Sequence, residues 1–197
     1  MIAIQKSTSL ISPEEYLEGE RLAEIRHEYV DGYVYAMAGS SDDHNRIAGN
    51  IFGELRERLR GHRCEPFIND MKVKIPPSFA DVFYYPDVIV VCEPADNAKY
   101  YRERPSIIFE VISPATERTD RREKAIAYRQ IPTIEAYVLV EQDRLAAKVL
   151  RRANEGWTSE LVEGAGAVLK LGSIGVEIPL NRIYERTSVA NAGPQAG

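Results

Sequence analysis

Two cysteines in 197 residues, Cys64 and Cys92, with no Cys-x-x-Cys pair and three histidines, supply no ligand spacing for a structural zinc site. So few thiols read as packing side chains in a reducing compartment rather than as a disulfide framework. No apolar run approaches the roughly 20 residues needed to span a bilayer, and Met1 to Leu10 lacks the basic-then-apolar pattern of a signal peptide. The expectation is a cytoplasmic protein without a membrane partner. Positive charge is not in excess: 25 Lys and Arg against 30 Asp and Glu give a net charge of −5, so any nucleic-acid binding must use a local basic face. Gly32, Gly39, Gly49, Gly53 and Gly61 form no phosphate-loop pattern, and nucleotide binding has no support.

What is present is an ordinary globular composition, 44% apolar and 28% charged, at a length that fits one domain with a substantial core. Residues 1–187 read as that domain, and Ser188 to Gly197 have the small, polar composition of a frayed tail. Ser12-Pro13-Glu14-Glu15 carries a capping box and predicts a helix to about Glu24. Asp31-Gly32 between β-prone residues predicts a hairpin over Glu28 to Met37, with Glu28 on its first strand. Ser40 to Asp43 offer caps for a helix with Ile47, Ile51, Phe52, Leu55 and Leu59 on one face, ending at Gly61.

Beyond it, Glu65 to Ile75 is extended, Pro76-Pro77 breaks the chain, and two apolar runs separated by the charged loop Glu93 to Arg104 predict central strands. Asp120 to Gln130 reads as a covering helix with Asp120 as cap and Glu123 three residues on. Glu135 to Val140 and Leu145 to Leu150 follow as strands, and Arg151 to Leu180 is weakly β. The order predicts an α/β (α+β) fold, a central mixed sheet flanked by helices.

Both apolar runs hold a carboxylate: Asp87 opens Val88-Ile89-Val90-Val91, and Glu110 interrupts Ile107 to Ile112. Burying an ionised acid without a partner costs several kcal/mol, roughly, so each needs a metal, a cation or a chemical task. Acids fixed on adjacent strands can hold Mg²⁺, which activates water and relieves charge at a phosphodiester. Lys124 follows on the next helix, four residues before Tyr128 and on its face, with a stem long enough to reach the strand end. Arg121 and Arg122 beside it could meet phosphate, and His44 on the Ile47 side of its helix could face the same pocket.

These residues resemble the PD-(D/E)XK nuclease superfamily, specifically its Uma-two-like branch of restriction-endonuclease-like proteins. The resemblance runs through Glu14-Glu15-Tyr16-Leu17, His27 to Gly32, Tyr85-Pro86-Asp87, Phe109 to Pro114, Asp120 with Lys124 and Tyr128, and Glu135-Ala136-Tyr137. It implies a restriction-endonuclease-like core and cleavage of DNA with Mg²⁺, or Mn²⁺, held by Asp87, Glu110 and the Val111 carbonyl. Glu28 resembles the extra acid some members bring from an N-terminal element. The departure is Ile112, where the signature has lysine two residues after the acid; Lys124 resembles the migrated replacement of this branch.

Plainer readings stand beside these. Asp87 could cap a turn, Glu110 could pair with Lys124 in a buried salt bridge, Glu28 could pair across its hairpin, and His44 could cap its helix. Arg56, Arg58, Arg60, Arg63, Lys72 and Lys74 form one basic stretch, and Arg118, Arg121, Arg122 and Arg129 another; they bind phosphates only if they flank the acids. The leading expectation is a metal-dependent DNA endonuclease, a homodimer if it cuts both strands. The alternatives are a non-catalytic DNA-binding or protein-assembly module on the same fold, and a hydrolase of another phosphate ester.

Overall fold

Ser12 takes the N–H of Glu15 while the Glu15 carboxylate takes the N–H of Ser12, and this reciprocal cap starts α1 (Pro13–Glu20). In the computed structural model, residues 10–76, 80–113 and 116–191 are described. The helix stops four residues before the predicted Glu24, because Glu20 turns to accept the backbone N–H of His27 at 2.8 Å and so ties the chain into the next strand. The hairpin follows as β1 (His27–Val30) and β2 (Tyr33–Ala36), with Asp31 and Gly32 both at positive φ in the turn. Ser41 caps α2 (Asp42–Arg58), whose apolar stripe Ile47, Ile51 and Leu55 is wholly buried, and Gly61 takes positive φ just beyond it.

The extended stretch after α2 splits into β3 (Glu65–Ile68) and β4 (Lys72–Ile75), which enter different sheets. After β4 come β5 (Val82–Tyr84), β6 (Val88–Val91), the two-residue β7 (Tyr101–Arg102) inside the charged loop, and β8 (Pro105–Ile112). Pro76 ends β4 as predicted; Pro77 lies outside the described residues.

The covering helix departs from the prediction at its start. Thr119–Lys124 form a widened, π-type turn that continues into α3 (Ala125–Arg129), and Asp120 is not its cap but a buried side chain. The remaining chain forms β9 (Ala136–Glu141), β10 (Ala146–Ala153), β11 (Gly156–Glu163), β12 (Val168–Leu171), β13 (Val176–Pro179), α4 (Leu180–Ile183) and α5 (Ser188–Asn191). Where composition predicts a frayed tail, Ser188 donates its N–H to Asp43 at 3.0 Å and starts a helical turn; residues 192–197 lie outside the described residues.

Six strands form the main sheet in the order β11-β10-β9-β8-β6-β3, antiparallel except for the parallel β8–β9 pair. Every residue of β6 and β8 is buried, as runs apolar on both faces require. One face, with Val88, Val90, Ile107, Phe109 and Val138, packs on α2. The other, with Ile89, Ile108, Ile112, Tyr137 and Leu139, packs on α3 and on Val73, Ile75, Val82 and Tyr84 of the second sheet, ordered β2-β1-β5-β4-β7. Glu110 therefore lies on a face closed by a helix and by another sheet.

The cysteines are not isolated packing residues. The β3–β6 register pairs Glu65 with Val91, which sets Cys64 opposite Cys92 across the strands, and the two form a disulfide. No described helix is long and apolar enough to cross a membrane.

Candidate active site

The antiparallel register of β6 and β8 pairs Val88 with Phe109, so the next step along each strand brings Asp87 beside Glu110. Asp87 Oδ2 accepts the N–H of Val111 at 2.7 Å, fixing the carboxylate against the acidic strand. From α2, the His44 ring brings Nε2 to 3.4 Å from the same oxygen. His44 is thus not only a first-turn residue of its helix; its ring reaches the acid at the entry to β6.

Behind Asp87 the site becomes deeper. Glu110 Oε1 accepts from Lys124 Nζ at 3.1 Å and from Tyr128 Oη at 3.0 Å. Lys124 Nζ also lies 2.9 Å from Glu28 Oε1 and 3.3 Å from Asp120 Oδ1, with the Tyr84 ring centroid at 5.4 Å. Glu28 is held in turn by the N–H of Tyr85 at 3.3 Å. Glu110, Lys124 and Asp120 are 3%, 5% and 2% exposed, whereas the Asp87 and His44 side chains keep 16% and 12%, so the site opens to solvent on their side.

The helix explains how a lysine twelve residues past Ile112 reaches Glu110. Ile112 shares the Glu110 face of β8 and fills the apolar cluster beneath α3. Asp120, Lys124 and Tyr128, each four residues apart, descend onto that same face from above. The sequence expectation that Lys124 reaches the Glu110 strand agrees with this geometry, whereas Asp120, read as a cap, lies in the same cluster; the four-residue spacing was the available signal.

Burial pulls Lys124 toward the neutral form, but Glu110, Glu28 and Asp120 outweigh it and hold the ammonium well above its ordinary range. Glu110 moves up as well, chiefly through burial and then through the other carboxylates, against the pull of Lys124. Burial lowers His44, yet its bond to Asp87, the charges of Asp87 and Asp120 and the Val111 backbone leave it raised. Burial, with Glu28 adding to it, pushes Tyr84 up to about 12.

Fully ionised, Glu28, Asp87, Glu110 and Asp120 face one lysine, and an imidazolium at His44 would still leave two negative charges. Among the described residues no group of three or more His, Cys, Asp or Glu side chains converges tightly enough to hold a metal ion. The donor chemistry suits a hard divalent cation all the same. Among the described residues the protein bonds to Glu110 fall on Oε1 and those to Asp87 on Oδ2, which leaves one oxygen of each acid out of these contacts.

The other predicted phosphate contacts are paired, exposed or distant from the acids. Arg121 is committed to both oxygens of Glu141, at 2.8 Å each, and to Glu117 at 3.0 Å. Arg122 is exposed on the π-type turn. Arg56, Arg58, Arg60 and Arg63 sit at the far end of α2 from His44, about 18 Å or more away at 1.5 Å per helical residue. Lys74 pairs with Glu103, and Lys72 is buried. The two basic stretches do not merge into one face around the acids.

Residues 13–181 match the family described as "Uma2: Putative restriction endonuclease". The chain belongs to the Uma2 family. Two uncharacterized proteins of the cyanobacterium Synechocystis are related to it: slr1290, 33% identical over 175 residues, 88% of this chain and 91% of that protein, and sll1609, 32% identical over 139 residues, 69% and 77%. The fold is similar to the crystal structure of a protein from Anabaena variabilis described as a putative nuclease belonging to DUF820, with a TM-score of 0.69 over 88% of this chain and 97% of that one. At 16% identity that likeness concerns the fold.

Proposed function

We propose that this Uma2 protein is a divalent-metal-dependent endonuclease that hydrolyses DNA phosphodiester bonds. The observation that carries the reading is the meeting of Asp87 and Glu110, from two strands, with Lys124 from the helix above them. The family description and the neighbour's description as a nuclease agree with it.

Asp87 and Glu110, with the Val111 carbonyl, would hold Mg²⁺ or Mn²⁺. When bound, such an ion neutralises charge at the scissile phosphate and makes water a better nucleophile. Lys124, held between Glu110 and Glu28, would place positive charge beside the phosphate or orient the attacking water. Glu28, brought by the hairpin, anchors that ammonium. His44, at the open side, orients Asp87 and lies where a phosphate oxygen or a water would approach. Arg122, exposed beside the site, remains the candidate for a flanking phosphate, whereas Arg121 is assigned to Glu141. Cleavage of both strands calls for two such sites related by a dyad, hence a homodimer on duplex DNA.

The second reading, a module that binds DNA or assembles with protein without cutting, draws on Lys124 closing the pocket as an ion pair with Glu110. One experiment separates them: cleavage of supercoiled and single-stranded DNA with Mg²⁺, Mn²⁺ or EDTA, by wild type and Asp87→Asn. The nuclease reading expects nicking that EDTA abolishes and that falls at least roughly 10²–10³-fold in Asp87→Asn, the scale of losing one group that stabilises transition-state charge. Wild type that neither cuts nor binds metal would establish the module instead.

A further inference from the structure

Asp120 is among the most buried ionisable side chains of the protein, and the reaction as described above does not use it. Its backbone is pinned at both ends: its N–H donates to Thr116 O at 2.9 Å, and its carbonyl accepts the hydroxyl of the fully buried Tyr137 at 2.9 Å. The carboxylate so fixed points at Lys124 Nζ, 3.3 Å from Oδ1, but among the described residues Oδ1 has no partner in hydrogen-bond geometry. A buried carboxylate oxygen without such a bond is costly, and it persists where another task holds it. The turn that carries it is π-type, a distortion that is frequent at functional sites.

Resting on the nuclease reading, the geometry points to Asp120 as a positioning residue that retains Lys124 in the site when Glu110 turns its carboxylate to the divalent cation. Of the three acids around Nζ, Glu110 is the one the cation competes for, and a dication drawn to it also repels the ammonium. Glu28 belongs to the other sheet and moves with β1. Asp120 shares a helix with Lys124 at four-residue spacing, so it follows any shift of the lysine and closes the last few tenths of an ångström as Glu110 lets go. The same spacing accounts for a lysine on the helix serving where Ile112 occupies the strand position.

The test compares wild type, Asp120→Asn and Asp120→Glu for kcat, KM and Mn²⁺ affinity by calorimetry. Beside these, the rate at which an amine-reactive acylating reagent modifies Lys124 is read by mass spectrometry, in a Glu110→Gln background with and without Asp120→Asn. Expected are a kcat lower by roughly 10–100-fold in Asp120→Asn, the scale for a residue that orients a reacting group, with KM and Mn²⁺ Kd within about 3-fold and an intermediate kcat in Asp120→Glu. Acylation of Lys124 should run at least about 5-fold faster when Asp120→Asn is added to Glu110→Gln, because only Glu28 of the three carboxylates then holds the side chain in the pocket and the lysine opens to the reagent more often. An unchanged kcat, or Mn²⁺ affinity lost as in Asp87→Asn, overturns the proposal. Equal acylation rates overturn it too, and that comparison needs no turnover: if wild type cuts no DNA, the nuclease reading falls while the rates still decide whether Asp120 holds Lys124. If Asp120→Asn does not fold, Asp120→Glu takes its place in every comparison, and wild-type kcat and acylation there overturn the proposal.

Discussion

Two buried lysines lie on opposite sides of the same pair of strands, and they live in opposite electrostatic worlds. On one side, Glu28 and Tyr84 face Lys124, which three carboxylates surround within 3.3 Å. On the other, the next residues along, His27 and Tyr85, face a second polar network. There Lys72 Nζ donates to Tyr85 Oη at 3.0 Å, Tyr85 Oη donates to Glu20 at 2.9 Å, and Glu20 takes both the backbone N–H and the ring of His27. Among the described residues Lys72 has no carboxylate within ion-pair distance, and burial lowers its pKa, with the more distant Glu20 and Asp70 opposing only in part. The difference is one of closure. Around Tyr85 the bonds converge on Glu20, which accepts from the Tyr85 hydroxyl and from His27; around Lys124 three carboxylates share one ammonium. The first satisfies each buried polar group within the fold, and the second concentrates negative charge on a single ammonium.

Breaking the acidic side should have the larger effect. Lys124→Met leaves Glu28, Glu110 and Asp120 buried without their cation, and should lower stability by about 3–5 kcal/mol near neutral pH, read by denaturant unfolding. It should also slow cleavage by roughly 10²-fold even with metal saturating. A variant as stable as wild type would mean that the acids do not share Lys124 as the distances indicate.

The Tyr85 network should respond more mildly. Tyr85→Phe removes one hydroxyl that serves both Lys72 and Glu20, and should cost about 1–3 kcal/mol of stability while cleavage stays within about 3-fold. A drop in cleavage of 10-fold or more with intact stability would break the comparison and make both sides part of one site. Such coupling has a route, since the backbone N–H of Tyr85 holds Glu28.

Lys72→Met should matter least. A buried ammonium without a carboxylate partner gains from replacement by an apolar chain of similar length, so stability should shift by less than about 1 kcal/mol, in either direction, with cleavage unaltered. A loss as large as that of Lys124→Met would show that Lys72 answers to an anion as Lys124 does.

Much of the pocket was legible in the chain. An acid amid Ile107 to Ile112 has few reasons to exist other than a partner, and the Pro86-Asp87 strand entry and the Glu28 hairpin mark two more acids on short, strongly patterned elements. The basic residues were less legible, because a charge carries no address. Arg121 reads as a phosphate contact until Glu141, twenty residues on, takes its guanidinium with both oxygens. The cysteines misled for the same reason: 28 residues apart in sequence, they meet through the β3–β6 register, which no local pattern encodes. Asp120 shows the limit most clearly. Its pattern suits a helix cap, and a cap is what local energetics favour; in the fold the Tyr137 hydroxyl bonds the carbonyl of Asp120 on the π-type turn, a contact made only once the helix has docked.

Local periodicity, capping and apolar runs thus determined by themselves that this chain makes a hairpin, a long amphipathic helix and two buried strands, one entered by an acid and one interrupted by an acid, because those signals act over a few residues and need no partner. Which carboxylates share Lys124, which arginine is already paired, and which buried lysine stands in a surplus of negative charge were decided by the tertiary structure, because Coulombic pairing depends on distances in space that sequence separation does not set.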